Sequence, residues 1–296
     1  MWHRRGVNQA PHLVHTIAAL RKLTRGWRAK GDTLGLVPTM GALHAGHMSL
    51  VDIARQQARR CVVTIFVNPT QFAPAEDLSK YPRTLAADIE KVRSAGADAV
   101  FAPAADEMYP PGFCSSISLA GPAGSGLEDA FRPTHFSGVA TVVAKLLIQS
   151  APEFAVFGEK DFQQLCVVRQ MVRDLDLPVD IIGAPTLRES DGLAMSSRNV
   201  FLTPADRQAA PALQLALQAA ARIILAGGVM DAALRQARTS IEAAGFKLDY
   251  LELRDAATLA PVMSAPANPC RLLAAARIGA VRLIDNIAVS PGGGTT

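Results

Sequence analysis

The stretch Leu34-Gly-Leu-Val-Pro-Thr-Met-Gly-Ala-Leu-His44-Ala-Gly-His47, followed by MSLVDIARQQARR and then Cys61-Val-Val-Thr-Ile-Phe-Val67, decides the fold. Its first six residues read as a short apolar strand ending in a Gly/His turn. Residues 46–60 then place Leu50, Ile53, Ala54 and Ala58 on one face, the spacing of an amphipathic helix. Residues 61–67 are continuously apolar and rich in β-branched side chains, as a parallel strand buried on both faces must be. Strand, turn, helix and strand together make one βαβ unit.

Working outward, the pattern repeats. Residues 68–83 form a polar loop with three prolines. Residues 84–96 read as a helix stopped by Gly96, and residues 97–103 as another strand. A strand at 154–158, a helix at 161–175 and a strand at 179–184 follow. The expected fold class is therefore α/β, a Rossmann-like doubly wound parallel sheet. Ligands of such sheets bind beyond the carboxyl ends of the strands. That places the chemistry in the turns after Thr39, Val67 and Gly158.

After about residue 190 the composition shifts to Ala/Leu-rich helices, at 204–226 and 230–244, separated by Gly227-Gly228. A strand at 247–254 and two apolar strands, 271–278 and 281–289, follow, the last two joined at Gly279. The domain expectation is a nucleotide-binding domain over 1–187, a smaller α+β domain over 188–290 acting as a lid, and a frayed tail over 291–296. No internal repeat is visible.

Composition bounds the class. The chain has 296 residues, 49% of them hydrophobic and 19% charged, which is too apolar for a disordered polymer. No apolar run approaches the ~20 residues of a membrane span, so a soluble protein is expected. The net charge of +4 invites a nucleic-acid reading, but its distribution removes it. Residues 1–30 hold seven basic side chains and no acid, leaving 23 basic against 26 acidic residues elsewhere. The basic segment reads as an amphipathic helix around 15–30 with Ile17, Leu20 and Trp27 inward, a targeting segment being the alternative. Cys61, Cys114, Cys166 and Cys270 lie more than fifty residues apart, as reduced, buried cysteines of a cytoplasmic protein would.

Four segments carry chemistry. In the first, Gly41 and Gly46 permit close backbone approach of a phosphate, and a helix N-terminus favours the anion. His44 and His47, three residues apart, can donate to phosphate oxygens. A structural pair or a metal pair are the alternatives, but no further ligand cluster accompanies them. The second is Met195-Ser196-Ser197-Arg198-Asn199, two hydroxyls and a guanidinium in a polar loop, suited to clamping polyphosphate. The third is Phe157-Gly158-Glu159-Lys160-Asp161-Phe162-Gln163-Gln164. Here Lys160 can neutralise phosphate and Asp161 can accept from ribose, with Gln164 one turn into a helix. The fourth is Phe66-Val67-Asn68-Pro69-Thr70-Gln71-Phe72, where Gln71 offers donor and acceptor to a small polar substrate.

The pairing of His-x-Gly-His with the MSSRN loop resembles the two signatures of the nucleotidylyltransferase and class I aminoacyl-tRNA synthetase superfamily. More closely, VPTMGALHAGH, FVNPTQF, RPTHFSGVATVVAKL from Arg132, FGEKDFQQL and LAMSSRN stand in the order and spacing of the pantothenate synthetase (pantoate–β-alanine ligase) family. The resemblance spans roughly residues 15–290. Ala45 and Met48 depart from the family's usual acid and Leu, and neither change removes a phosphate donor.

That resemblance implies ATP-dependent condensation of pantoate with β-alanine through a pantoyl adenylate, releasing AMP and pyrophosphate. It implies catalytic roles for His44, His47, Lys160, Ser196, Ser197 and Arg198. ATP would also meet Pro38, Met40, Gly41, Gly46, Gly158, Asp161, Leu187 and Met195. Pantoate and β-alanine would meet Gln71, Gln164, Met40, Asn68, Arg132 and His135. Mg²⁺ is expected to travel with ATP, and Asp88 is entertained as a contact to it. A homodimer is implied, with neither nucleic acid nor membrane as partner. The alternatives are a nucleotidyltransferase acting on a phosphate-bearing acceptor and a non-catalytic nucleotide-binding module.

Overall fold

The computed structural model describes residues 10–72, 78, 81–264 and 266–290. It divides into two compact units: residues 1–159 with 167–185, and residues 160–166 with 186–296. Residues 160–166 thus group with the second unit, whereas a sequence boundary at 187/188 leaves them in the first. The proposed tail, 291–296, lies outside the described residues.

The first unit is built on a six-stranded, all-parallel sheet in the order β1-β4-β3-β2-β5-β6. Its strands are β1 (His12–Val14), β2 (Leu34–Thr39), β3 (Arg60–Ile65), β4 (Ala99–Phe101), β5 (Phe154–Gly158) and β6 (Asp180–Ala184). Between them run α1 (Ile17–Arg28), α2 (Ala45–Gln57), α3 (Leu85–Ser94), the short α4 (Ala105–Met108) and α5 (Glu128–Phe131), α6 (His135–Ser150) and α7 (Phe162–Asp174). The central strands β2, β3 and β5 are buried almost throughout, which is why they read as continuous apolar runs.

Strand order reverses between β2 and β5, so the switch point lies where the Thr39 and Gly158 turns leave the sheet. The sheet thus agrees with the sequence reading at β2, β5 and β6, while α2 stops at Gln57 so that Arg60 can begin β3. At the opposite end of the sheet, Arg60 bridges Asp32 (2.7 Å) and Asp98 (2.8 Å) and lies over the Trp27 ring. The carboxylates raise the Arg60 pKa against the opposing effect of burial.

Four elements of the first unit have no counterpart among the sequence expectations: β1, the short α4 and α5, and α6. β1 is only three residues long, too short for periodicity to register. Helix α6 is buried on nearly every face, so its apolar pattern has no polar stripe to reveal a helical period. α1 packs against α6 with Leu20 and Trp27 buried, and Arg28 donates to the Ser150 and Ala151 carbonyls at its end. Ile17, expected inward, is only half-buried.

The second unit carries α8 (Pro204–Ala209), α9 (Ala212–Leu225) and α10 (Met230–Ala243) beside an antiparallel sheet of β7 (Lys247–Asp255), β8 (Cys270–Ile278) and β9 (Val281–Val289). The expected single helix over 204–226 is two, because Pro211 supplies no N–H and caps the start of α9. Gly279 (φ 54°) opens the two-residue hairpin between β8 and β9. Leu217, Ile241, Leu272 and Ala276 centre this unit's core.

The free cysteines follow the expectation at Cys61, Cys166 and Cys270, which are buried, but Cys114 is exposed. It lies in the irregular segment after α4, where no apolar period marked the face. Among the described residues, no helix is long and apolar enough to cross a membrane.

Candidate active site

The β2–α2 turn holds the two histidines by a reciprocal cap. His44 is the N-cap residue, and its Nδ1 accepts from the Gly46 N–H at 3.1 Å. His47, at the third helical position, accepts the His44 N–H on its own Nδ1 at 3.3 Å. The arrangement is a capping box built from two imidazoles rather than a hydroxyl and a carboxylate. Its chemical consequence is a tautomer. An Nδ1 that accepts a backbone N–H carries no proton, so each neutral ring is protonated at Nε2. The ring centroids stand 4.1 Å apart, and both side chains are half-buried. The turn thus presents two N–H donors at a helix N-terminus, where an anion is favoured.

What shapes that turn is Asp88, on α3. Its carboxylate is fully buried and accepts from Ala42 N (2.9 Å), Leu43 N (2.8 Å) and Thr84 Oγ1 (3.0 Å). Lys91, one turn further along α3, donates to the Leu43 carbonyl at 2.6 Å and stands 3.9 Å from Asp88 Oδ1. Gly41 (φ 84°) and Ala42 (φ 51°) both adopt the left-handed conformation there. A Cβ on Gly41 would crowd Asp88 Oδ2 at 3.2 Å. The sequence reading entertained Asp88 as a magnesium contact. In the structure both its oxygens brace the histidine turn.

The loop after β3 forms the neighbouring part of the same unit. Asn68, almost fully buried, donates from Nδ2 to Gln71 Oε1 (3.0 Å) and to the Gly138 carbonyl (3.2 Å). Its Oδ1 accepts from Thr70 and from Tyr109 Oη at 2.7 Å. Burial raises the Tyr109 pKa, keeping the phenol a donor. The Gln71 amide then donates to Met40 Sδ at 3.2 Å, joining this loop to the residue just after β2.

His135 Nδ1 donates to the Gln71 carbonyl at 3.0 Å, which leaves its Nε2 as acceptor for Arg132 Nη1 at 3.3 Å. His135 therefore has the opposite tautomer from His44 and His47. The predicted residues Met40, Asn68, Gln71, Arg132 and His135 are thus gathered in one cluster.

Gly138, Tyr109 and Thr84 belong to these networks, and the sequence reading missed all three. Gly138 was legible only as a lone glycine in an apolar run. A Cβ there would stand 2.5 Å from the Thr70 carbonyl oxygen. Gly138→Ala is expected to push the Asn68–Gln71 loop away, costing about 1–3 kcal/mol as overpacking does. Chemical denaturation checks this, the unfolding midpoint falling in the variant.

Most of the remaining candidates lie in the second unit, Gly158 being the last residue of β5 in the first. Glu159–Asp161 form a single 3₁₀ turn leading into α7, with Lys160 Nζ 3.9 Å from Asp161 Oδ2. Gln164 is half-buried in the first turn of α7, next to the buried Gln163. Leu187 is exposed. The stretch from Leu187 to Met195 is a small hairpin, closed by a bridge between Arg188 and Ala194 and by Met195 N donating to the Leu187 carbonyl. Ser196 follows and caps the 3₁₀ turn Ser197–Phe201, its Oγ accepting from Arg198 N at 3.2 Å. Thr186 Oγ1 and Asn199 Oδ1 are buried without a hydrogen-bond partner. Among the described residues, no group of three or more His, Cys, Asp or Glu could hold a metal ion.

A parallel sheet with its switch point between β2 and β5, and a His-x-Gly-His turn closing β2, defines the nucleotidylyltransferase-like fold. The family model for pantoate-beta-alanine ligase matches residues 12–288. The chain belongs to the pantoate-beta-alanine ligase family, a family of amide-forming ligases.

Its relatives include the pantothenate synthetase of Mesorhizobium japonicum, 56% identical over 94% of this chain and 98% of the relative. That of Rhodopseudomonas palustris is 55% identical over 96% of this chain and all of the relative. Among solved structures, a pantothenate synthetase from Thermus thermophilus superposes with a TM-score of 0.89 at 46% identity, covering 95% of this chain and 100% of that one. A Francisella tularensis pantoate-beta-alanine ligase, complexed with beta-gamma ATP and beta-alanine, gives 0.80 at 34%, covering 94% and 97%.

Proposed function

We propose that this ligase activates pantoate with ATP and passes the acyl group to β-alanine. The pantoate carboxylate attacks the α-phosphorus of ATP. One P–O bond forms, the α–β bridge breaks, and pyrophosphate leaves a pantoyl adenylate. The β-alanine amine then attacks the acyl carbon, the carbon–oxygen bond to phosphate breaks, AMP departs, and the amine loses a proton. A carboxylate is already a nucleophile, so the first step needs no base. Its barrier is bringing two anions together and holding charge on the departing pyrophosphate.

The observation that carries this reading is the double-histidine cap at the end of β2, with both imidazoles fixed as Nε2–H donors. His44 and His47 donate to the phosphates. Pro38, Met40, Gly41 and Gly46 shape the turn. Gln71, placed by Asn68 and Met40, orients pantoate, while Arg132 and His135 hold the Gln71 carbonyl. Lys160, Ser196, Ser197 and Arg198 neutralise the β,γ-phosphates. Gln164 grips pantoate. Asp161, with the backbone at Gly158 and Leu187 and the side chain of Met195, receives ribose and adenine.

Magnesium, when bound, neutralises phosphate charge and would be carried by ATP itself, since the described residues form no carboxylate cage for it. The family resemblance extends the proposal to a cytoplasmic homodimer.

The test is pantoate-dependent exchange of labelled pyrophosphate into ATP, followed by β-alanine addition. Exchange that requires pantoate, and an amide product formed with AMP, is expected. A stable dinucleotide product instead would overturn the reading. Within this scheme Gln164→Ala should raise the KM for pantoate ~10-fold or more, the cost of a lost polar contact, while moving that for ATP much less. Equal losses for both substrates would remove Gln164 from the pantoate site.

A further inference from the structure

We infer that Asp285 and Asn286, adjacent on β9, are positioning residues that set both Lys160 and the loop of Ser196, Ser197 and Arg198 from a single strand. The inference rests on the phosphate role proposed above for those four residues, and all of the contacts lie within the second unit.

Successive side chains on a strand point to opposite faces, so neighbouring residues can serve two loops without competing. Asp285 is almost fully buried and receives Arg188 through two parallel bonds, Nη1 to Oδ2 at 2.7 Å and Nη2 to Oδ1 at 2.9 Å. This fork-to-fork geometry fixes a guanidinium more rigidly than a single contact does. Arg188 also donates to the carbonyls of Gly192 (3.0 Å) and Asn286 (3.4 Å). It therefore pins the hairpin whose end delivers Ser196.

Asn286 works toward the other loop. Its Nδ2 donates to the Lys160 carbonyl at 2.9 Å, and its Oδ1 accepts from Arg271 Nε at 2.6 Å. Arg271 in turn lies over the Phe162 ring, 4.5 Å from its centroid. Lys160 is thus held through its own carbonyl and through the residue two positions on. Only an amide supplies a donor and an acceptor at this place. A carboxylate would keep the Arg271 contact but turn an oxygen toward the Lys160 carbonyl.

Asn286→Asp in the full chain is the direct test, with Asp285→Asn as a second variant that keeps size and one acceptor for Arg188. Two rates are read: pantoate-dependent ATP–pyrophosphate exchange, and AMP release from pantoyl adenylate with β-alanine. By the second step the β,γ-phosphates have left, so displacing Lys160 or the serine loop should not slow it. The expected result is exchange slowed ~10-fold or more, as for a misplaced charge-stabilising donor, with the second rate held within about twofold.

If both rates fall together, or if exchange is unchanged in both variants, the inference is overturned. Lys160→Ala separates the two layers of argument. Normal exchange in that variant removes the proposed role of Lys160 itself. Slowed exchange there, with both β9 variants normal, removes only the positioning role.

Discussion

Replacing His44 or His47 by alanine is expected to slow pantoate-dependent ATP–pyrophosphate exchange by ~10²-fold or more, the usual loss for a donor aimed at developing charge. Stability should fall far less. Losing the cap removes one bond at a helix start, about 1 kcal/mol against the 5–15 kcal/mol that holds a typical domain together. His44→Asn isolates the two contributions. Asparagine is a good N-cap residue and can still accept the Gly46 N–H, but it ends short of the position of Nε2. That variant should melt like the parent and exchange as slowly as His44→Ala. Near-normal exchange in the asparagine variant would show that the imidazole is there only to start α2.

Asp88→Ala should produce the largest loss of stability among the site variants, with activity falling alongside. Its removal strands the buried N–H of Leu43, at about 1–3 kcal/mol, and the partly buried N–H of Ala42. It also releases Ala42 from a left-handed conformation that costs an alanine about 1–2 kcal/mol and needs holding. Since His44 lies one residue beyond Leu43, the donor pair moves with the turn.

Asp88→Asn is the finer probe, because it keeps the shape and loses one acceptor. Exchange should drop ~10-fold or more, as for a donor moved off its target, and raising magnesium should not restore it. Full rescue by magnesium, with unchanged unfolding, would make Asp88 a metal contact after all. No rescue, together with a lowered Tm, is the expected pair of results.

Much of this was readable in the chain, and the failures have physical causes. β2 and β5 were legible because central parallel strands are apolar on both faces. His44, His47, Gln71 and Lys160 stand out as candidates because they follow the ends of β2, β3 and β5, and Arg198 because it lies in a polar loop with two serines. Asp88 stands out in the sequence only as a carboxylate, since spacing does not show the backbone donors that meet it. Gly138 and Asn286 were silent. One matters for the atom it lacks, and the other for partners 15 and 126 residues away in sequence. Long-range complementarity of that kind leaves no local period. The same holds for α6, where complete burial erased the amphipathic stripe.

The chain's route through its two units has a consequence for its synthesis. It leaves the first unit at residue 160, returns at 167 and leaves again at 186. Domains tend to fold as they emerge from the ribosome, N-terminal parts first. Residues 160–166, however, emerge long before the strand that holds them, because the Asn286 bond to the Lys160 carbonyl closes over 126 residues. A nascent chain stalled between β6 and β9 can complete the parallel sheet and still leave the Lys160 turn without its anchor. Activity is therefore expected to arrive all at once, with the last strand.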